Sequence, residues 1–410
     1  MYKTVKITPK KLCGEVCAPP SKSAAHRAVL CAALCGGVST ISNLSYSQDI
    51  LATLSAAKCL GAKIAKNGTS ATIEGVCKGK SLDGILIDCN ESGSTLRFII
   101  PIALAIGDNF SVTGRGRLLE RPLDDYYKIF DKQGISYKKA ENRIYFDGKL
   151  MGGVYELSGN VSSQYITGLL FALPLLQEDS EIVITTPLES TGYINMTLES
   201  LEHFGVEIKT SNDLRHFYIR GNQEYKACDY TVEGDYSQAA FYYVANAIGN
   251  NVDICGLSKI STQGDKAILD VIEIMKEHKT ERTIDVSQIP DLVPIMAVLA
   301  TQMEGRTNIV GAARLRIKES DRLSSITQEL TKLGAKIEEF EDSITVCGKT
   351  PLTGGVVDSH NDHRIAMSLA IAATVANGEV VITGADSVRK SYADFWDKYC
   401  ELGGSLEYGE

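Results

Sequence analysis

The stretch Pro19-Pro20-Ser21-Lys22-Ser23-Ala24-Ala25-His26-Arg27 puts a lysine where a lysine is normally unfavourable. Two prolines hold an extended approach, Ser21 is a candidate N-cap, and the small and apolar residues 24–34 predict a helix with Lys22 in its first turn. The helix macrodipole already places partial positive charge there. An anion at that end would be attracted by the free N–H groups, the dipole and the lysine together. Ser23 and Arg27, four apart, share a helix face.

Other segments repeat the theme. Asn90-Glu91-Ser92-Gly93-Ser94-Thr95-Leu96-Arg97 is a glycine- and hydroxyl-rich turn opening an apolar helix, suited to receive an anion on backbone N–H groups. It lacks the lysine spacing of a nucleoside-triphosphate loop. Arg121 precedes a helix-starting proline, and Ser162, Ser163 and Gln164 open another helix. Lys318 and Arg322 are four apart around Glu319 and Asp321, while Arg364 and Lys390 add two further cationic starts. Each has a plainer explanation alone: a solvated surface helix, a capping cluster, a structural turn at residues 361–364. His360 and His363 could pair on a metal, but nothing else has ligand spacing, so no metal is expected. Jointly, Lys22, Arg27, Arg97, Arg121, Lys318, Arg322, Arg364 and Lys390 are expected at the same position in successive units, at helix starts. They fit a cationic cleft between two domains that reads phosphate and carboxylate groups. Asp291 and Glu319 are acids placed to move protons beside those cations.

The elements that must carry these residues repeat. A helix ending in glycine, then two short alternating strands, recurs at residues 54–75, 126–148, 199–221 and 327–348. A truncated copy closes the chain at 395–408, and a weaker one without the glycine lies near 271–286. Gly61, Gly134, Gly205, Gly334 and Gly403 suit helix C′ positions. A strand and polar loop precede each such helix, and alanine-rich helices alternate with them, giving roughly six units about 70 residues long. Their loops carry Asp49, Tyr193 and Asp265 besides the cations. Helices as apolar as residues 367–376 should be buried on all sides. Three units make one domain, so the expectation is α/β (α+β) with two domains: residues 17–228, and residues 1–16 plus 229–410. The opening strand, residues 5–16, would complete the last repeat and make a second crossover.

Composition bounds the function. The 410 residues are 44% hydrophobic and 23% charged, enough apolar material for sizeable cores. No apolar segment follows the first residues and no run approaches the roughly 18 of a membrane span. A net charge of −9 argues against nucleic acid as a partner. Eleven cysteines form no framework, and Cys13/Cys17 and Cys31/Cys35 are spaced too openly for a CxxC knuckle. Free thiols in a reducing cytoplasm are expected.

The ordered set PPSKSxxxR, ESGSTLR, ERP, VSSQ, EGDYSQAAFY, QIPD, RIKESDR, NDHRIAM and Arg389-Lys390-Ser391-Tyr392 resembles the signatures of the 5-enolpyruvylshikimate-3-phosphate synthase family, across essentially the whole chain. The resemblance implies two domains, each an inside-out α/β barrel of three βαβαββ repeats, closing on substrate. It implies transfer of the enolpyruvyl group of phosphoenolpyruvate to the 5-hydroxyl of shikimate 3-phosphate by addition and elimination, as a step of aromatic amino acid biosynthesis, without metal or cofactor. Carried over by motif, Lys22, Ser23, Arg27, Ser162, Ser163, Gln164, Ser190, Tyr193, Asp291 and Lys318 would hold shikimate 3-phosphate. Lys22, Gly93, Arg97, Arg121, Gln164, Arg322, Arg364 and Lys390 would hold phosphoenolpyruvate. Asp291 would take the hydroxyl proton, and Glu319 and Lys22 would serve the methylene carbon and the leaving phosphate. Two trianions need such a cation set to meet. Glu91 stands where the family usually has Asn and Phe98 where many members have Pro; Arg314 and Ala393 also depart.

Two rivals differ in class. The related UDP-N-acetylglucosamine enolpyruvyl transferase uses a cysteine on the loop before the counterpart of Arg121, and residues 114–121 hold none. A phosphate-ligand-binding protein without catalysis would not require Lys22, Asp291 and Glu319. The fold needs no partner chain to complete its core, so a cytoplasmic monomer is expected.

Overall fold

The computed structural model describes residues 3–76 and 82–409. The chain divides into two units, Lys22–Glu233 in one and Met1–Ser21 with Gly234–Glu410 in the other. In the first, three four-stranded sheets follow one plan: a parallel pair at one side, then an antiparallel hairpin. Their spatial orders are Tyr230–Thr231, Val38–Ser42, Ser70–Glu74, Lys63–Asn67; Ile85–Asp88, Asn109–Thr113, Arg143–Asp147, Ser136–Ala140; and Gly153–Leu157, Ser180–Ile184, His216–Ile219, Ile208–Thr210. Period-two burial sets each face: in Ser70–Glu74, Ala71 and Ile73 turn inward while Thr72 and Glu74 face solvent.

The second unit builds two more such sheets. One places Glu281–Asp285, Gly305–Val310, Ile344–Gly348 and Lys336–Glu339 side by side. In the other, Thr4–Thr8 lies between Val380–Thr383 and Ser405–Gly409, with Gly355–Asp358 outside. The chain's opening strand thus fills the place that the second hairpin strand takes elsewhere, and completes the last repeat. The strand expected at 5–16 is, however, two. Cys13–Cys17 leaves this sheet and pairs in parallel with Asn251–Cys255. The weak copy near 271–286 carries no hairpin either: helix Ile268–Lys276 is followed by Glu281–Asp285, which opens the next sheet.

The glycines at 61, 134, 205, 334 and 403 all adopt positive φ just past a helix, the left-handed cap that glycine makes without strain. Helix His363–Ala373 is buried at all eleven positions. Each unit has its own apolar core, with a fully buried Leu or Ile contributing about 1.5–3 kcal/mol.

The compact units divide after Ser21 and after Glu233, five residues beyond each expected division at 16 and 228. Cys17 belongs with the earlier strand by register, and Tyr230–Thr231 pairs with Val38–Ser42, keeping residues 229–233 with the unit they close. The thiols are not all free, because Cys17 and Cys255 face each other in that parallel register and are joined as a disulfide. Strand register between residues 238 apart is not legible in cysteine spacing. Among the described residues no helix is long and apolar enough to cross a membrane.

Candidate active site

In the unit Lys22–Glu233 the cationic residues are set by helix starts and by close helix packing. Helix Lys22–Leu34 begins at Lys22 itself, directly after buried Ser21. Lys22 Nζ lies 2.9 Å from Asp49 Oδ2, and Asp49 sits in the first turn of helix Gln48–Leu60, where the dipole favours a carboxylate. Arg27 is buried. Its Nη1 donates to the Ser23 carbonyl (2.7 Å), Nη2 to the Tyr193 carbonyl (2.8 Å) and Nε to Thr197 Oγ1 (2.9 Å). The ring faces of Phe98 and Tyr193 lie 5.6 and 6.0 Å from its guanidinium carbon. Burial lowers the Arg27 pKa to about 10, opposed by the Tyr193 hydroxyl, which leaves the group charged at neutral pH.

The glycine-rich turn opens helix Gly93–Ile106, with Ser92 Oγ capping the Thr95 N–H. A Cβ on Gly93 would stand 2.6 Å from Arg121 Nη1, so glycine is what lets that guanidinium lie over the helix N-terminus. Arg97, one turn in, donates to Gln164 Oε1 (3.1 Å) and to the Pro122 carbonyl (3.1 Å), with Tyr165 beneath it at 5.3 Å. Gln164 in turn donates to Ser94 Oγ at 3.0 Å. Gly168 permits this meeting: a Cβ there would come within 2.4 Å of the Arg97 carbonyl oxygen. Ser162 caps helix Ser163–Ala172, and Ser190 takes positive φ just before helix Thr191–His203, whose first turn carries Tyr193.

The other unit collects a denser, acid-rich cluster. Asp291, in the 3-10 turn Pro290–Leu292, accepts from Arg322 Nη1 on Oδ1 (2.9 Å) and from Arg364 Nη2 on Oδ2 (3.0 Å), while Lys318 Nζ stands 3.6 Å from Oδ1. Arg364 Nη1 also donates to the Asp291 carbonyl. Arg322 opens helix Arg322–Lys332 and reaches Glu319 Oε2 at 2.5 Å and Asp362 Oδ2 at 2.7 Å. Burial works against its charge, but the Asp362, Glu319 and Asp291 carboxylates outweigh that and raise its pKa. Burial lowers the Lys318 pKa to about 8, helped by Arg322 and Arg314 and opposed by Asp291. Buried Asp265 is raised to about 6, by burial first and by Asp291 next. Lys390 Nζ donates to the Asn361 carbonyl at 2.6 Å.

The expected residues therefore fall into two groups. Lys22, Ser23, Arg27, Gly93, Arg97, Arg121, Ser162, Ser163, Gln164, Ser190 and Tyr193 belong to one unit; Asp291, Lys318, Glu319, Arg322, Arg364 and Lys390 belong to the other. Strict helix starts are fewer than expected, because Lys318, Arg121 and Lys390 end 3-10 turns and Arg97 lies one turn inside its helix. Lys318 and Arg322 meet through the Asp291 carboxylate rather than along a shared helix face. Asp362 is the residue that motif reading undervalued: it caps helix His363–Ala373 through the Arg364 N–H and binds Arg322 as well. Its signal is an acidic N-cap preceding a cation in Asn361-Asp362-His363-Arg364. His360 Nε2 lies 2.7 Å from buried Glu329, which also accepts the Asp358 N–H.

The departures are also placed. The Glu91 carboxylate lies against Gly116, where a Cβ would meet Oε2 at 3.0 Å, and Phe98 is the buried platform under Arg27.

The family model described as EPSP synthase (3-phosphoshikimate 1-carboxyvinyltransferase) matches residues 7–399. A 3-phosphoshikimate 1-carboxyvinyltransferase from Clostridium perfringens is 48% identical over 422 residues, covering 99% of each chain. The one from Clostridioides difficile strain 630 is 47% identical over 433 residues, covering 98% of each. The solved EPSP synthase of Acinetobacter baumannii matches with a TM-score of 0.81, covering 99% of this chain and all of that one; at 24% identity it speaks for the mixed α/β two-domain fold alone.

Proposed function

The chain belongs to the EPSP synthase (3-phosphoshikimate 1-carboxyvinyltransferase) family, and from that premise we propose how its own residues divide the work of an enolpyruvyl transfer. The activity is that of the family: the carboxyvinyl group of phosphoenolpyruvate passes to shikimate 3-phosphate and phosphate leaves, within aromatic amino acid biosynthesis. Asp291 takes the proton from the acceptor's 5-hydroxyl, and that oxygen attacks C2 of phosphoenolpyruvate while C3 gains a proton. The tetrahedral adduct then loses phosphate and a C3 proton, restoring the double bond. Glu319 and Lys22 serve those transfers at C3 and at the leaving phosphate.

Binding follows the charge. Ser23, Arg27, Ser162, Ser163, Gln164, Ser190, Tyr193 and Lys318 hold shikimate 3-phosphate together with Lys22 and Asp291. Gly93, Arg97, Arg121, Gln164, Arg322, Arg364 and Lys390 hold phosphoenolpyruvate together with Lys22. Arginine suits both, because its planar fork matches carboxylate and phosphate oxygens. The same reading makes the enzyme a cytoplasmic monomer that works without metal or cofactor.

One observation carries the assignment of the base. Both oxygens of Asp291 are engaged by guanidinium groups with Lys318 close by, so its carboxylate stays oriented and an anionic substrate arriving at those arginines would find the base at hand. The test supplies phosphoenolpyruvate with either shikimate 3-phosphate or UDP-N-acetylglucosamine and follows phosphate release. Release is expected with the first acceptor only; release with the second alone would sink the reading.

A further inference from the structure

A buried chain of hydrogen bonds runs through the unit Lys22–Glu233, and none of its own side chains is among those assigned above to substrate. His26 Nδ1 lies 2.6 Å from Thr53 Oγ1, and Thr53 Oγ1 lies 2.6 Å from Thr95 Oγ1. Thr95 Oγ1 donates to Ser92 Oγ at 2.8 Å, and Ser92 Oγ also accepts the Thr95 N–H at 3.2 Å. All four side chains are buried.

With Thr95 Oγ1 as the donor to Ser92 Oγ, one proton count runs consistently from end to end. A hydroxyl has one proton to give. Thr95 gives its proton to Ser92, so its oxygen accepts from Thr53. Thr53 spends its proton there rather than on the Asp49 carbonyl, which is farther at 3.3 Å. Its oxygen must then accept, and the donor is the Nδ1–H of His26. In that count the imidazole is the Nδ1–H tautomer; burial together with Lys22 and Arg27 holds its pKa well below the ordinary value, which keeps it neutral. Among the described residues its buried Nε2 has no polar partner, and the ring is set edge-on to Phe98 at 6.4 Å. A phenyl ring would suit that apolar surrounding and leave no nitrogen orphaned. What a phenyl lacks is the donor at the head of the chain.

The chain's ends explain why the donor matters. His26 is one turn past Lys22, Thr53 is one turn past Asp49, and Ser92 with Thr95 brackets Gly93. Three helix N-termini are tied together through one run of hydroxyls. We propose that His26 is a positioning residue for phosphoenolpyruvate: by donating the first bond of this chain it fixes the Gly93 turn against the helix starts that carry Lys22 and Asp49, at the spacing the anion requires. The inference rests on the assignment of Gly93, Arg97 and Arg121 to phosphoenolpyruvate made above. His26 touches no substrate and acts through Thr53, Thr95 and Ser92.

The experiment compares His26→Phe, His26→Asn, Thr53→Val and Arg97→Met in the full chain, varying each substrate in turn and recording Tm. His26→Phe and Thr53→Val should raise KM for phosphoenolpyruvate about five- to tenfold, the effect of one buried hydrogen bond. They should leave kcat within about twofold and KM for shikimate 3-phosphate unchanged. His26→Asn, whose amide N–H can stand in for Nδ1–H, should recover most of the loss. A merely structural histidine would show the opposite pattern: Tm falls, both KM values or kcat move with it, and asparagine rescues nothing. That result, or an unchanged KM for phosphoenolpyruvate in both His26→Phe and Thr53→Val, overturns the proposal. Arg97→Met separates the two failures. If it raises that KM and His26→Phe does not, only the positioning role falls; if neither does, the substrate assignment of this turn falls too.

Discussion

The two cation clusters are built on opposite principles. Arg27 and Arg97 are held by carbonyl oxygens, a hydroxyl, a side-chain amide and aromatic faces. Arg322 and Arg364 are held by carboxylates, with Asp291 shared between them. Neutral partners orient a guanidinium without cancelling its charge, so the first kind keeps its attraction for an anion. Carboxylate partners neutralise the charge but bring acids to the spot, as the proposed proton transfer at Asp291 needs. The contrast teaches that a count of cations says little about a site; their partners separate anion capture from acid–base work.

The largest expected effect breaks the acid-rich cluster at its shared member. Asp291→Asn should keep substrate binding and lower kcat by about 10²–10⁴-fold, the usual worth of a general base; unchanged phosphate release would remove Asp291 from the chemistry. Next comes stability. Arg322→Met strips the guanidinium from Asp362, Glu319 and Asp291, and loss of one partner in so buried a network should cost about 3–5 kcal/mol in a denaturation experiment. Arg27→Met removes only neutral partners, so its stability cost should be nearer 1–2 kcal/mol, while its KM for shikimate 3-phosphate should rise steeply. Equal Tm losses in these two variants would erase the distinction.

The smallest effect is a pH dependence. Lys318, with its pKa at about 8, is cationic below that pH and neutral above it. Its attraction for a phosphate is therefore present at neutral pH and lost as pH rises through 8. KM for shikimate 3-phosphate should climb a few-fold on the alkaline side, and Lys318→Arg, which stays charged, should flatten that limb. A limb unmoved by the arginine would assign the titration elsewhere.

Much of this arrangement is legible in the sequence because it rests on local rules. Glycine after a helix, alternation in strands and a repeated helix–hairpin unit predict the hairpins of four of the four-stranded sheets, and an opening strand without a preceding helix predicts that Thr4–Thr8 completes the fifth. The cations picked out by motif fall in both units. The long-range partners escape, since nothing local says that Asp362 will turn to Arg322, or that Glu329 will clamp His360. His26 escapes for the same reason: an imidazole in an apolar helix reads as core packing until the hydroxyls of Thr53, Thr95 and Ser92 are seen in line. The Cys17–Cys255 pairing depends on the register of two distant strands, which no cysteine spacing encodes.

The strand Thr4–Thr8 has one more consequence. It lies between Val380–Thr383 and Ser405–Gly409, so it must wait for partners that are translated long after it. The unit Lys22–Glu233 has all its sheet partners in hand once residue 233 has emerged, and can fold while translation continues. The other unit closes only once Ser405–Gly409 has been made, so its last sheet forms after the unit Lys22–Glu233 has been translated.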